Sequence, residues 1–258
     1  MLEVKAENKI GEVLDFHGNA NYILMDATGV TPPGANINTS DIATKDGSVF
    51  NSSRVANRNI VLTILPVGSV EANRINLYRY FKTKQWVKLY FKTATRNTFI
   101  NGYVETMETA LFSNQEQMQV SVICPDPYLM DVNQEETDMS EGHLSPINNS
   151  DIEVGFIAEF TFSGNVTGIQ LRDNRNNYFG INYLFAEHDV LRINTLRGEK
   201  GIWLYQGSTR INLINYLDLN SQWLQLEPGF NDIAVTITSG SLENVEGTLY
   251  FRKVYEGV

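Results

Sequence analysis

The sequence predicts a mainly β protein with one short helix, divided into an N-terminal β-rich domain that carries the helix with a β-hairpin and a C-terminal β-sandwich. Three observations predict this. Residues 58–107 read as strand, helix and hairpin with almost no slack between them. Residues 117–124 alternate, with Met118, Val120, Val122 and Cys124 apolar and the residues between them mostly polar, the period of a half-buried strand. From residue 154 onward, short alternating runs follow one another with Asn, Gly and Ser turns between them, as in a sandwich. With 19% charged and 11% aromatic residues, the composition suits a β-rich globular chain better than a disordered or helical one.

In chain order, the first twenty residues yield no clear element. Residues 22–26, Tyr-Ile-Leu-Met-Asp, suit a strand. Gly29, Pro32, Pro33 and Gly34 break any regular element, because proline lacks a backbone donor and glycine permits tight bends. Residues 35–57 are polar, with Asp46-Gly47 as a turn ahead of Val49-Phe50. They are expected to form an ordered loop suited to pairing with another subunit, since a long structureless loop inside a compact domain is uncommon. Residues 58–66 form a β-branched apolar run closed by proline. Ser69 then suits the cap of a helix whose Val70, Leu77, Tyr78 and Phe81 share one face, with Glu71 and Lys82 agreeing with its dipole. In residues 86–92, Val87, Leu89 and Phe91 alternate with Lys88, Tyr90 and Lys92, and a turn through 94–97 leads into the second strand of a hairpin. Pro125 and Pro127 stop the strand that follows. The N-terminal domain is therefore expected over 1–130.

Residues 131–153 hold seven acids and no base, with Gly142, Ser145, Pro146 and several asparagines, and read as an acidic linker. The sandwich is expected over 154–258, with strands at 156–162, 166–171, 178–183, 189–194, 201–205, 210–216, 223–226, 231–237 and 247–255. Net charge is formally −10. Residues 1–130 carry twelve basic and twelve acidic side chains, and residues 131–258 carry eight and eighteen, so the whole excess lies in the second part. That asymmetry suggests parts with different neighbours and argues against general nucleic-acid binding by the sandwich. No apolar run of about 18 residues is present, so no membrane insertion is expected; the first residues show no charged-then-apolar leader. Cys124 is the only cysteine and lies in an alternating strand, which reads as a buried structural thiol in a chain assembled in a reducing cytoplasm.

The search for chemistry is negative. His17, His143 and His188 are widely spaced, no Cys-x-x-Cys is present, and no zinc site is indicated. Neither a nucleophile elbow nor a phosphate-binding loop occurs. Asp173-x-Arg175-x-Asn177 resembles part of a calcium loop but has an arginine at a ligand position, so a turn is the better reading. Neither catalytic residues nor a cofactor nor a metal is expected, and the chain is read as no enzyme.

A resemblance is carried by residues in order. Asp46-Gly47 is followed by Arg54 and Arg58, then by the strand 60–65, then by Arg74, Leu77, Tyr78 and Phe81 in the helix. The strand 86–91, Gly102-Tyr103-Val104 and Cys124-Pro-Asp-Pro-Tyr128 complete the first half. Gly164-Asn165, Gly168, Ile193-Asn194-Thr195, Leu226-x-Pro228-Gly229-x-Asn231 and Tyr255-x-Gly257-Val258 follow in the second. Together they resemble the distal tail proteins (Dit-like) of long-tailed bacteriophages, the siphovirus tail and baseplate hub family. The resemblance implies a structural virion protein at the tail tip. It implies a homo-hexameric ring built by the N-terminal, belt-forming domains, with galectin-like sandwiches carried outside. It further implies contacts with the tail tube protein above and with tail-associated, tail-fibre or receptor-binding proteins below, and DNA that passes through the ring without specific binding.

Beside that resemblance, the residues suggest two surfaces. Arg74, Arg79, Lys82, Lys84, Lys88, Lys92 and Arg96 occur with no acid between them. They form either a solvated face, an intersubunit or partner surface, or, least in keeping with DNA transit, a phosphate-binding patch. Trp203, Tyr205 and Trp223 are candidate glycan contacts, and a host-surface glycan-binding adhesion protein acting through the sandwich is the alternative function. Aromatic residues of a sandwich more often fill its core.

Overall fold

Strand pairing gathers the chain into two units, residues 1–132 with 255–258, and residues 133–254. The computed structural model describes residues 2–44, 46–111 and 115–258. In the first unit, strands β1 (Glu3–Asn8), β2 (Val13–Asp15) and β3 (Tyr22–Thr28) precede a two-stranded ribbon of β4 (Ala35–Asp41) and β5 (Ser48–Val55). Then come β6 (Arg58–Pro66), helix α1 (Val70–Tyr80), β7 (Trp86–Lys92), β8 (Asn97–Thr109), β9 (Met118–Cys124) and β10 (Leu129–Asp131). The main sheet runs β2-β1-β7-β8-β9-β6-β3, with β10 paired to the start of β8. All of its described ladders are antiparallel. Its buried face is set by alternation: Ile60, Leu62 and Ile64 on β6, Val87, Leu89 and Phe91 on β7, and Met118, Val120 and Val122 on β9 join one core.

Leu77 and Phe81 of the helix segment pack into that core, whereas Tyr78 is 43% exposed, so the expected apolar face is narrower than its spacing suggests. Ser69 occupies the N-cap position without a side-chain cap bond. The entry is held instead by Asn73, whose Nδ2 donates to Val67 O at 2.6 Å and whose carbonyl accepts the Tyr22 hydroxyl at 3.1 Å. The unassigned first twenty residues supply β1 and β2. Their order comes from pairing with β7, residue for residue from Glu3↔Lys92 to Asn8↔Val87, a partner too distant in sequence to be legible locally.

The second unit contains β11 (Glu135–Asp138), β12 (His143–Leu144), β13 (Ile147–Asn148), β14 (Ile157–Phe162), β15 (Val166–Asp173), β16 (Tyr178–Phe185), β17 (Val190–Asn194), β18 (Gly201–Gln206) and β19 (Thr209–Asn212). It closes with β20 (Gly229–Phe230), β21 (Ile233–Ser239) and β22 (Val245–Phe251), and β23 (Val254–Tyr255) spans the return to the first unit. Two antiparallel sheets, β11-β22-β14-β17-β18-β19 and β12-β21-β15-β16, enclose a core that includes Phe156, Phe160, Phe179, Phe185, Leu191 and Leu249. The acidic linker is therefore corrected: β11 pairs with β22 from Glu135↔Phe251 to Asp138↔Thr248, and β12 pairs with β21. Backbone pairing needs no apolar side chain, so seven acids did not prevent strands. Residues 223–226 also depart from expectation. Apart from a bridge between Leu226 and Val154 they form no ladder, while Leu224 and Leu226 are buried.

Candidate assembly surface

The ribbon β4–β5 replaces the expected polar loop and has the more unusual chemistry. Its register pairs Ala35 with Val55, Ile37 with Ser53 and Thr39 with Phe50, and cross-strand partners share a face. One face therefore carries Ala35, Val55, Ile37, Ser53, Thr39 and Phe50, and the other carries Asn36, Arg54, Asn38, Ser52, Ser40 and Val49. Every residue of both strands is exposed, Ile37 at 65% and Phe50 at 62%, so two large apolar side chains stand in solvent on one face. A one-residue shift between Asn38 and Thr39 leaves Asn51 as the extra residue, and the Asn51 Nδ2 donates across to the Ser40 hydroxyl at 2.6 Å. Polar composition concealed this face, because only the cross-strand register brings Ile37 and Phe50 to the same side.

The basic stretch is distributed over four places. On α1, the Arg79 Nε donates to Glu12 Oε2 at 2.7 Å and Nη2 meets Oε1. Arg74, its side chain 17% exposed, has Nε 3.6 Å from Glu116 Oε2 and Nη2 4.0 Å from Glu71. On the outer face of β7, Lys88 Nζ lies 4.1 Å above the Phe99 ring, and Lys92 Nζ is 3.4 Å from Glu3 Oε2. Arg96, in the β7–β8 turn, donates to the Gly257 carbonyl and stacks 4.3 Å over Tyr255. Lys82 and Lys84 remain. Both are exposed in the turn after α1, and among the described residues neither ammonium has a partner. Lys84 takes φ +66, held by its N–H on Val104 O at 2.8 Å. The structure brings these two together and engages the other five internally, through Glu3, Glu12, Glu116, Phe99 and the segment 255–258.

The candidate glycan contacts also separate. Trp203 and Tyr205 point outward from β18, and the Trp203 ring lies flat over Gly201, where an added Cβ would sit 2.2 Å from it. The Arg210 guanidinium covers it at 4.5 Å. Trp223 belongs elsewhere: it packs against the sandwich core with its ring 5.2 Å from Phe179. The three do not form one aromatic platform.

An open groove of about 480 Å³ in the first unit is lined by Leu2, Val4, Phe16, Tyr22 and Leu24, together with Glu3 and His17. Its lining comes from the start of β1, from residues 16–19 after β2, and from β3, which lies at one end of the main sheet and leaves Ile23 and Met25 about half exposed. Among the described residues no group of histidine, cysteine and carboxylate side chains is set to hold a metal, and no helix is long and apolar enough to cross a membrane. Burial pushes the Cys124 thiol up to about 12, against the opposing charge of Arg58, which removes it as a nucleophile at neutral pH.

Comparison with known proteins agrees with this architecture. Residues 149–255 match the family model described as siphovirus-type tail component, C-terminal domain. No curated protein matches the chain. The crystal structure of the Dit protein of phage SPP1, described as a paradigm of the hub adsorption apparatus in phages infecting Gram-positive bacteria, aligns with 97% of this chain and 98% of its own, at a TM-score of 0.76 and 14% identity. A chain of the phage P2 baseplate in its activated conformation aligns over 100% of both, at a TM-score of 0.52 and 10% identity. At such identities the likeness is one of fold. The mainly β, one-helix fold class is the one expected, and the resemblance to distal tail proteins is met in fold across the chain and in sequence over 149–255.

Proposed function

We propose that this chain is a structural component of a phage tail tip, a hub whose first unit assembles with copies of itself into a hexameric ring between the tail tube and the baseplate or receptor-binding proteins. DNA passes through the ring without specific binding, and the mature location is the virion, after assembly in the host cytoplasm. The tail-component match of 149–255 and the shared fold support the setting. One observation carries the assembly reading: the β4–β5 ribbon exposes Ile37 and Phe50 on one face, and no described residue covers them. Burying either side chain contributes roughly 1.5–3 kcal/mol. Repeated once per subunit around a closed ring, burial of the pair contributes to a head-to-tail contact. Lys82 and Lys84 are the cations left to meet a partner's carboxylates.

The test is assembly of the wild type and of an Ile37→Asp/Phe50→Asp variant, each with the tube protein added, by mass measurement in solution and electron microscopy. The wild type is expected to form sixfold rings and the variant to stay monomeric with an unchanged circular dichroism spectrum. Absence of rings from the wild type, or rings of equal abundance from the variant, would overturn the reading.

A further inference from the structure

The first unit is discontinuous. Its chain leaves after Val132, forms the whole second unit and returns for residues 255–258. Those four residues are bound along their length. Tyr255, 7% exposed, joins the core of the first unit, and its hydroxyl donates to Asp131 Oδ2 at 3.1 Å, across 124 positions of sequence. The Glu256 carbonyl accepts from Arg58 Nη2 at 2.5 Å, and the Gly257 carbonyl accepts from Arg96. The Val258 N–H donates to Val30 O at 3.1 Å. Gly257 fits without spare room, since a Cβ there would stand 3.1 Å from Pro32 Cδ and 3.3 Å from Val30 O.

Arg58 is the centre of this arrangement. It is 3% exposed, and it donates to four backbone carbonyl oxygens: Pro127 O from Nε at 2.5 Å, Gly29 O and Thr31 O from Nη1 at 3.0 Å each, and Glu256 O from Nη2. A buried guanidinium is tolerated when its donors are matched, and the returning segment supplies one of the four acceptors. Without it, Arg58 Nη2 loses that acceptor.

We infer that the first unit contains a peptide-binding groove, lined by Arg58, Arg96, Asp131, Val30 and Pro32, whose ligand is the extended segment Tyr255–Val258, and that filling it is the last step in folding this unit. The groove takes an extended peptide by its carbonyls, with an aromatic residue at the first position and glycine at the third. A nascent chain that has made residues 1–132 holds two arginines over an unfilled groove until the sandwich has been synthesised. Assembly competence of the ring-forming unit therefore follows synthesis of the part it carries. That last consequence rests on the ring reading above; the groove itself does not.

Hydrogen exchange read by mass spectrometry, segment by segment, tests the groove without reference to rings. The wild type is compared with full-length Gly257→Val and with a chain ending at Val254. Loss of a buried partner is expected to speed exchange in 29–31, 58–62 and 127–131 by about tenfold or more, while 157–162, 190–194 and 245–251 keep their rates. A synthetic peptide of residues 253–258 is expected to restore slow exchange to the shortened chain saturably, and the same peptide with Tyr255→Ala is not. Unchanged exchange in the first unit, equal acceleration in both units, or a soluble shortened chain indifferent to the peptide would each overturn the inference. If the shortened chain is insoluble, Gly257→Val decides alone. Rings absent with the exchange pattern present would sink the ring reading and leave the groove standing.

Discussion

The Arg79 guanidinium and the Glu12 carboxylate, 67 residues apart, form a forked pair, Nε donating to Oε2 at 2.7 Å while Nη2 meets Oε1. Glu12 also accepts from Asn8 Nδ2 at 2.9 Å, so the pair ties α1 to the turn between β1 and β2. Arg79 is 59% exposed. Arg79→Ala is therefore expected to lower stability by no more than about 1 kcal/mol, in the range of surface ion pairs, and to leave assembly intact. Lys82→Glu with Lys84→Glu is expected to do the reverse, with urea unfolding unchanged and ring formation or tube attachment weakened. Assembly by that double reversal equal to wild type would remove both lysines from the interface.

Two glycines with left-handed backbone are expected to differ sharply. Gly29 has φ +78, and a Cβ there would stand 2.0 Å from the Asn59 carbonyl oxygen; Gly47, at φ +84, has nothing within 4 Å. Gly47→Ala carries only the left-handed penalty of about 1–2 kcal/mol. Gly29→Ala must also separate the segment after β3 from β6, and a loss above about 4 kcal/mol, the exceptional end for single substitutions, is expected. Equal melting temperatures for the two variants would contradict the close approach.

Cys124 gives a signature at alkaline pH. Its folded-state value is pushed up to about 12, mainly by burial. The unfolded thiol ionises near 8.5. Below about 8.5 both states hold the proton and the group has no influence. Between about 8.5 and 12 only the unfolded state releases it, so stability falls by up to about 1.4 kcal/mol per pH unit. Tyr90, also raised to about 12 by burial and by its bond to Glu7, adds to the fall above about 10. Cys124→Ala is expected to flatten the part between pH 9 and 10. At pH 8 a thiol reagent is expected to label the native chain only through unfolding, and labelling at the rate of a free thiol would refute the burial.

Trp223 and Trp203 separate packing from display. Trp223→Ala removes a ring set against Phe179 and the sandwich core, and a loss of about 3 kcal/mol is expected. Trp203 lies on the outer sheet surface between Gly201 and Arg210, and Trp203→Ala is expected to change stability by about 1 kcal/mol. Thermal melts of the two variants distinguish these outcomes, and the opposite order would place the wrong tryptophan in the core.

What local sequence conveyed was period. The alternations 58–66, 86–92 and 117–124, and the sandwich runs from 157 to 194, all describe strands that the structure contains. What it lacked was partners. β1 becomes a strand through β7, β11 through β22, and Ile37 and Phe50 share a face of β4–β5 only through the cross-strand register. The basic stretch lacked its partners for the same reason. No acid lies within 74–96, but Glu3, Glu12 and Glu116 arrive from outside it. Trp223 followed its apolar neighbours inward, and Tyr78 turned outward because Leu77 and Phe81 already fill the space beneath α1.

The acids at β11 have a further consequence. This strand borders the six-stranded sheet, with Glu136 and Asp138 exposed and Glu135 held by Lys253 at 2.6 Å. An unprotected border strand is a template for adding foreign strands, and like charges along it repel any second copy that approaches in register. This negative fringe opposes edge-to-edge addition of another copy. Removing it by Glu136→Val with Asp138→Val is expected to make the protein prone to self-association.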